Sequence, residues 1–243
     1  MNTSNSSRVE EIWTVLREEI LRGQYRPGER LPSERELAVR FGANRGAVRE
    51  ALKKLEQIGI ADITPGGVRV VPVEEATLDV LGYVLDLDEI PDPTLIRHVL
   101  EVLGALMSMS ARTAIEAASD DEIDAMRSIV QELRDNGGDS ERDGELWKSL
   151  GHTFTQVNDN LVLRLILNGL KTQFVGRMGP PDPDVRLDQD RNRPILDRID
   201  AGMEARDPED VADAVEDHFR LIRDVAVSAL THANDNSRSV SNG

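Results

Sequence analysis

Arg45, Arg49 and Lys53 fall at i, i+4 and i+8, so a helix carrying them presents three cations on one face. A guanidinium is a planar fork that pairs with the O6/N7 edge of guanine or with phosphate oxygens. Val48, Leu52 and Leu55, at i, i+4 and i+7, form a separate apolar stripe that should be buried. A helix with one buried face and one cationic face is suited to reading duplex DNA. Little else offers chemistry. Cys is absent, which removes disulfides, zinc-thiolate sites and thiol catalysis. The four His are 98, 152, 218 and 232 and form no paired-His motif. Neither a phosphate-binding Gly loop nor a nucleophile elbow is present. A helical-bundle enzyme is therefore the competing class, and the chain is expected not to be an enzyme and to need no cofactor. Arg97 sits in a largely apolar helical stretch. If buried it needs a partner, either Glu101 one turn on or the carboxylate of an effector.

The elements that position the cations are legible from their ends. Ser33 with Glu36 three residues on makes a capping box for a short helix whose apolar side is Leu37, Ala38 and Phe41. Gly42 permits a tight turn, and Asn44 is an N-cap for the cationic helix. This is the layout of a helix-turn-helix. A preceding helix is expected over about 8–22, capped by Ser7. Gly59 ends the cationic helix, and two β-prone runs, 60–64 and 68–72, flank Pro65-Gly66-Gly67 as a hairpin. Three helices and a hairpin make a winged helix. Its tip, near Gly66, would lie against phosphate or a minor groove.

The formal net charge of −16 argues at first against nucleic acid. Its distribution reverses that: residues 1–73 carry a net +2, residues 22–54 a net +5, and residues 74–243 a net −18. An acidic body would leave the basic module to orient the encounter, and it disfavours a non-specific, chromatin-like binder. No apolar run approaches the ~18 residues of a membrane span. The polar N-terminus lacks the apolar core of a signal peptide, so a cytoplasmic protein without membrane contact is expected.

From Glu74 the pattern is helical. Helices are expected at 76–87 and, from the cap Asp92, to about Ala118. Others start at the capping box Ser119/Glu122, at Ser140 and at 160–178, with further ones at 185–204 and 208–231. Leu161, Leu165, Ile166, Leu170 and Phe174 are read as one apolar face. Breaks are expected at Asn136-Gly-Gly and at Gly179-Pro-Pro-Asp-Pro. The chain is mainly α: a winged helix over 8–73, then an antiparallel bundle of six to seven helices over 74–231. Disordered ends are expected at 1–7 and 232–243.

Pro27-Gly28, Leu31-Pro-Ser-Glu-Arg-Glu-Leu-Ala38, Arg45, Val48-Arg-Glu-Ala-Leu-Lys-Lys-Leu55 and Gly59 with the wing resemble the GntR family of bacterial transcription regulators. Arg97-His-Val-Leu-Glu101, Ser110-Ala-Arg112, Asp121-Glu-Ile123, Asn160-Leu-Val-Leu163, Ile195-Leu-Asp197 and Asp207-Pro-Glu-Asp-Val-Ala212 are similar to its FadR subfamily, with an all-helical FCD domain. The resemblance implies a regulator that binds a palindromic operator as a homodimer and answers a small carboxylate or an acyl-CoA. It places Arg35 and Arg45 on base edges and Arg49 on phosphate. Asn44 stands where Ser or Thr is usual and can still donate to phosphate. Gly46 replaces a residue that commonly bears a hydroxyl, so part of the operator preference should differ. Leu165–Lys171 is similar to acyl-CoA-responsive members.

Many FadR-type bundles hold a divalent metal through one Asp and three His. Here the resemblance sets Trp147 at the Asp position and Gly151, Asn192 and His218 at the three His positions. One His does not make a metal site, so no metal is expected. A metal-dependent regulator answering small carboxylates stays as the alternative. His218 is otherwise a polar residue beside Phe219. Asn160 is either a helix cap or an effector contact. With Arg97 these are the candidate effector residues. The effector expected is an organic anion with a sizeable apolar part, an acyl-CoA first.

Overall fold

The structure, a computed structural model, describes residues 3–136, 140–157, 159–174 and 187–241. The breaks expected beyond Asn136 and at Gly179, and the end of the helix expected to reach Met178, lie outside the described residues. The chain divides into two compact units, residues 1–89 and 90–243.

In the first unit, α1 (Thr3–Leu21), α2 (Glu34–Arg40) and α3 (Arg45–Gln57) precede β1 (Ala61–Thr64) and β2 (Gly67–Val70). α1 starts within the segment expected to be disordered. Ser33 and Glu36 close the expected capping box on α2, and Gly42 turns the chain with φ +56°. Ile12, Leu16, Leu37, Val48, Leu52 and Leu55 are fully buried. Each such aliphatic side chain contributes about 1.5–3 kcal/mol relative to exposure. The strands pair antiparallel with Ala61 opposite Val70, and residues 28–31 run alongside β2, joined at an Arg30–Arg69 bridge.

Helix α4 (Val80–Leu85) follows a 3-10 turn at Val73–Glu75. The sequence groups this segment with the bundle and draws the boundary after residue 73, yet it packs in the first unit. Val80 joins the core of α1 and α3. Tyr83 meets Trp13 edge-on at 5.7 Å, and Arg17 lies over both rings. Thr77 N donates to Ile58 O. A pair of aromatic rings and a backbone bond thus fasten 74–89 to the winged helix.

The second unit contains six helices among the described residues: α5 (Pro93–Ala117), α6 (Asp120–Asp135), α7 (Ser140–Val157), α8 (Leu161–Phe174), α9 (Gln189–Ala205) and α10 (Pro208–Ser241). α5 packs along α10, so closely at Gly104 that a Cβ there would sit 2.8 Å from the Cβ of Phe219. α7 packs on α5 and α6, α9 on α6 and α10, and α8 on α5. By length and composition α5 would suffice to cross a membrane. Ile96, Val99, Leu103, Met107 and Ala111 are instead buried inside the unit, making α5 its central helix.

Two expectations fail here. α8 buries Leu163, Leu167, Leu170 and Phe174, whereas Leu161, Val162, Leu165 and Ile166 are 60%, 65%, 60% and 42% exposed. The run from 161 to 167 is apolar almost all round, so its periodicity does not select a face. The segment from 232, expected to be disordered, continues α10 to Ser241.

Candidate functional site

The cationic face of α3 forms as its spacing requires. Asn44 Oδ1 accepts from Ala47 N at 2.8 Å and starts the helix. Arg45, Arg49 and Lys53 are exposed, with Ala47, Val48, Ala51 and Leu52 buried behind them. The three cations are not equivalent. Arg49 grips Glu34 on α2 with two hydrogen bonds, of 3.2 and 3.1 Å. This pairing lowers the Glu34 pKa and raises that of Arg49. Lys53 pairs with Glu50 at 3.0 Å. Arg45 and Arg35, both exposed, hold no hydrogen bond or ion pair among the described residues. A Cβ on Gly46 would come within 3.1 Å of Asn44 Oδ1, so the Asn cap and the missing hydroxyl residue go together. Gly66 is exposed at the hairpin tip, where Thr64 Oγ1 donates to Gly67 O. Sequence reasoning passed over Arg30, whose guanidinium lies against Gly67. Nothing in a linear motif signals it, since the contact depends on residues 28–31 pairing with β2.

In the helical unit, residues far apart in sequence meet around His218. The indole of Trp147 stacks on its imidazole, with centroids 3.6 Å apart and planes 16° apart. Phe219 meets the same ring edge-on. Asn192 Oδ1 lies 3.1 Å from His218 Nδ1. His218 is 1% exposed, and burial pushes its pKa down to about 3, so it is neutral. A Cβ on Gly151 would lie 2.8 Å from Met107 Cε. The buried nitrogens Trp147 Nε1 and His218 Nε2 have no hydrogen-bond partner among the described residues.

These residues do not fit the divalent cation of the related bundles. Of the four positions, one supplies an imidazole; an indole lies flat against it, the Asn192 amide is engaged by its other nitrogen, and Gly151 offers no side chain. No group of three or more His, Asp or Glu placed to hold a metal ion occurs among the described residues. The arrangement suits neutral hydrogen bonding. With Asn192 Oδ1 accepting, His218 Nε2 is left as an acceptor beside the Trp147 N–H donor.

The other two candidates lie elsewhere. Arg97 is exposed, and Glu101 pairs with Arg223 at 3.4 Å rather than with Arg97. Asn160 Oδ1 accepts from Leu163 N at 3.0 Å, capping α8. No hydrogen bond, ion pair or ring contact joins Arg97, Asn160 and His218 among the described residues.

Residues 8–71 match the bacterial regulatory proteins of the gntR family, and residues 98–221 match the FCD domain. The chain is 34% identical over 173 residues to the HTH-type transcriptional regulator Mce2R of Mycobacterium tuberculosis, covering 68% of this chain and 69% of that one. It is 31% identical over 168 residues to a fatty acid metabolism regulator protein of Shewanella baltica, covering 68% and 69%. The galactonate operon transcriptional repressor of Escherichia coli is 30% identical over 139 residues, covering 56% and 60%. Among solved structures, Lar, which controls expression of the Listeria monocytogenes agr system, superposes with a TM-score of 0.52 at 16% identity, covering 90% of this chain and 95% of that one. That likeness is one of fold. A cationic recognition helix on a winged helix, a separate helical unit with a buried polar site, and matches over both units lead to one assignment: the chain belongs to the gntR family of bacterial regulatory proteins, in the branch with an FCD domain, and is a ligand-responsive DNA-binding transcriptional regulator rather than an enzyme.

Proposed function

We propose that two copies of this chain hold an inverted-repeat duplex in the cytoplasm as a repressor, and that an organic anion with a long apolar part, an acyl-CoA first, releases it. The observation that carries the DNA reading is the exposed row Arg45, Arg49 and Lys53 over a fully buried stripe. Arg35 and Arg45 read base edges. Arg49, Lys53, Asn44 and the amides around Gly46 and the Gly66 tip meet phosphates. Two copies match the two-fold symmetry of such operators. The unpartnered stripe Leu161, Val162, Leu165 and Ile166 supports pairing through α8, since it is free of charge on a strongly acidic body.

For the effector, the support is chemical. The site around His218 is neutral and walled by the rings of Trp147 and Phe219, so it favours ligands that bury apolar surface rather than chelators. The likeness to a fatty acid metabolism regulator points the same way. The likeness to the galactonate repressor favours a small hydroxy acid instead. A gel shift separates the two, on a duplex selected by the protein from a random library. Oleoyl- or palmitoyl-CoA should release the DNA at micromolar levels, with free CoA inert. Release by galactonate but not by acyl-CoA overturns the proposed effector.

A further inference from the structure

We propose that Arg30, which lies outside the helix-turn-helix, supplies the wing's contact with the DNA backbone. This rests on α3 being the recognition helix and adds a cation that only the fold brings to the wing. Leu31 N donates to Val68 O and Val70 N to Glu29 O, so residues 28–31 form a third edge beside β2. Arg30 and Arg69 face each other across it. Facing residues of an antiparallel pair project to the same side. Val68 and Val70 are buried, so both arginines stand on the solvent side, and both are exposed.

Arg30 then lies back along the hairpin. A Cβ at Gly67 would fall 2.6 Å from its Nη2 and 2.8 Å from its Cζ. Gly67 has φ +114°, a region that other residues rarely enter. The same glycine that permits the turn leaves room for the guanidinium, one residue from the tip at Gly66.

The surroundings leave that guanidinium available. Arg30 holds no hydrogen bond or ion pair among the described residues. Its charge is felt by Glu36, but that carboxylate is committed to Ser33 N and Oγ. Its neighbour Arg69 stands opposite Asp62 and donates to Gly28 O at 2.9 Å. Two like charges facing each other are unfavourable unless an anion is shared. The tip itself lacks polar side chains: Pro65 has neither N–H nor polar group, and Gly66 has no side chain. A wing that rests on phosphates takes its cation from Arg30.

The test uses the full-length protein and fluorescence anisotropy over a range of salt concentrations. The probes are the library-selected duplex and a scrambled duplex of equal length. Arg30→Gln, which still covers Gly67, should lower the slope of log K against log salt by about 1 on both duplexes and leave their affinity ratio unchanged. Arg30→Lys should restore the slope. Arg45→Ala run in parallel should instead reduce the affinity ratio. An unchanged slope in Arg30→Gln, whether or not its melting temperature falls, overturns the proposal. If Arg45→Ala still lowers the ratio in that case, the recognition-helix reading stands alone. If it does not, that reading falls as well.

Discussion

Arg45 and Arg49 sit one turn apart yet face different costs on binding. Arg45 has no partner to leave, whereas Arg49 must exchange the Glu34 carboxylate for a phosphate. Arg45→Ala should therefore cost about 1–3 kcal/mol on the selected duplex and relax preference at one base, while Arg49→Ala should weaken all duplexes alike. Equal losses for Arg45→Ala on selected and scrambled duplexes, measured by anisotropy, would count against base reading. His218 makes a prediction about pH. Its folded pKa of about 3 lies below the ordinary 6.5, so between these values the unfolded chain binds the extra proton. Its stabilising contribution is complete above about pH 6.5 and is lost progressively as pH falls towards 3. One proton corresponds to a slope of about 1.4 kcal/mol per pH unit. Urea unfolding of His218→Gln between pH 6.5 and 4 should show a slope shallower than that of the wild type by up to this amount. Identical slopes would mean that His218 is solvated. The sequence made the DNA face legible because its residues lie within one helix and its caps. The contacts around His218 join residues 147, 192 and 218, and only the family resemblance grouped them.

At the scale of elements, legibility follows the strength of end signals and amphipathicity. Ser33, Glu36, Asn44, Ser119 and Asp92 all act as the caps their types imply. α8 defeats this approach, because Leu161-Val-Leu-Arg-Leu-Ile-Leu167 offers apolar residues to every side. Its outward row lies at i, i+1, i+4 and i+5, so one face of about two turns is apolar and unpaired. Leu165→Glu with Ile166→Glu should leave the helical content unchanged and convert the protein to a monomer in analytical ultracentrifugation. The same variant should lose operator affinity steeply, because one half-site no longer recruits the other. A dimer that survives both substitutions places the self-association elsewhere.

At the scale of the molecule, each unit has its own core, and the division falls at Glu89–Ile90. Residues 90–243 alone should therefore be helical by circular dichroism and melt cooperatively. A fragment starting at 74 adds residues 74–89 with α4, whose Val80 and Tyr83 pack on the winged helix. An unfolded 90–243 fragment would show that its core needs the first unit. The boundary was not legible because the helical texture that starts at Glu74 continues past Ile90. Length leaves its own mark on α10. Leu221 is its last buried residue among the described side chains, and the FCD match also ends there. The helix nevertheless continues to Ser241. Twenty residues at 1.5 Å each reach about 30 Å past that point. Ile222, Val225, Ala226, Val227, Ala229 and Leu230 are still half-buried, but from Thr231 the described side chains are mostly exposed, so the turns beyond it follow helix–coil statistics rather than the all-or-none melting of the bundle. Warming unwinds them one turn at a time. Each residue released trades a rise of 1.5 Å for up to about 3.3 Å of extended chain, so temperature sets how far this segment reaches beyond Thr231.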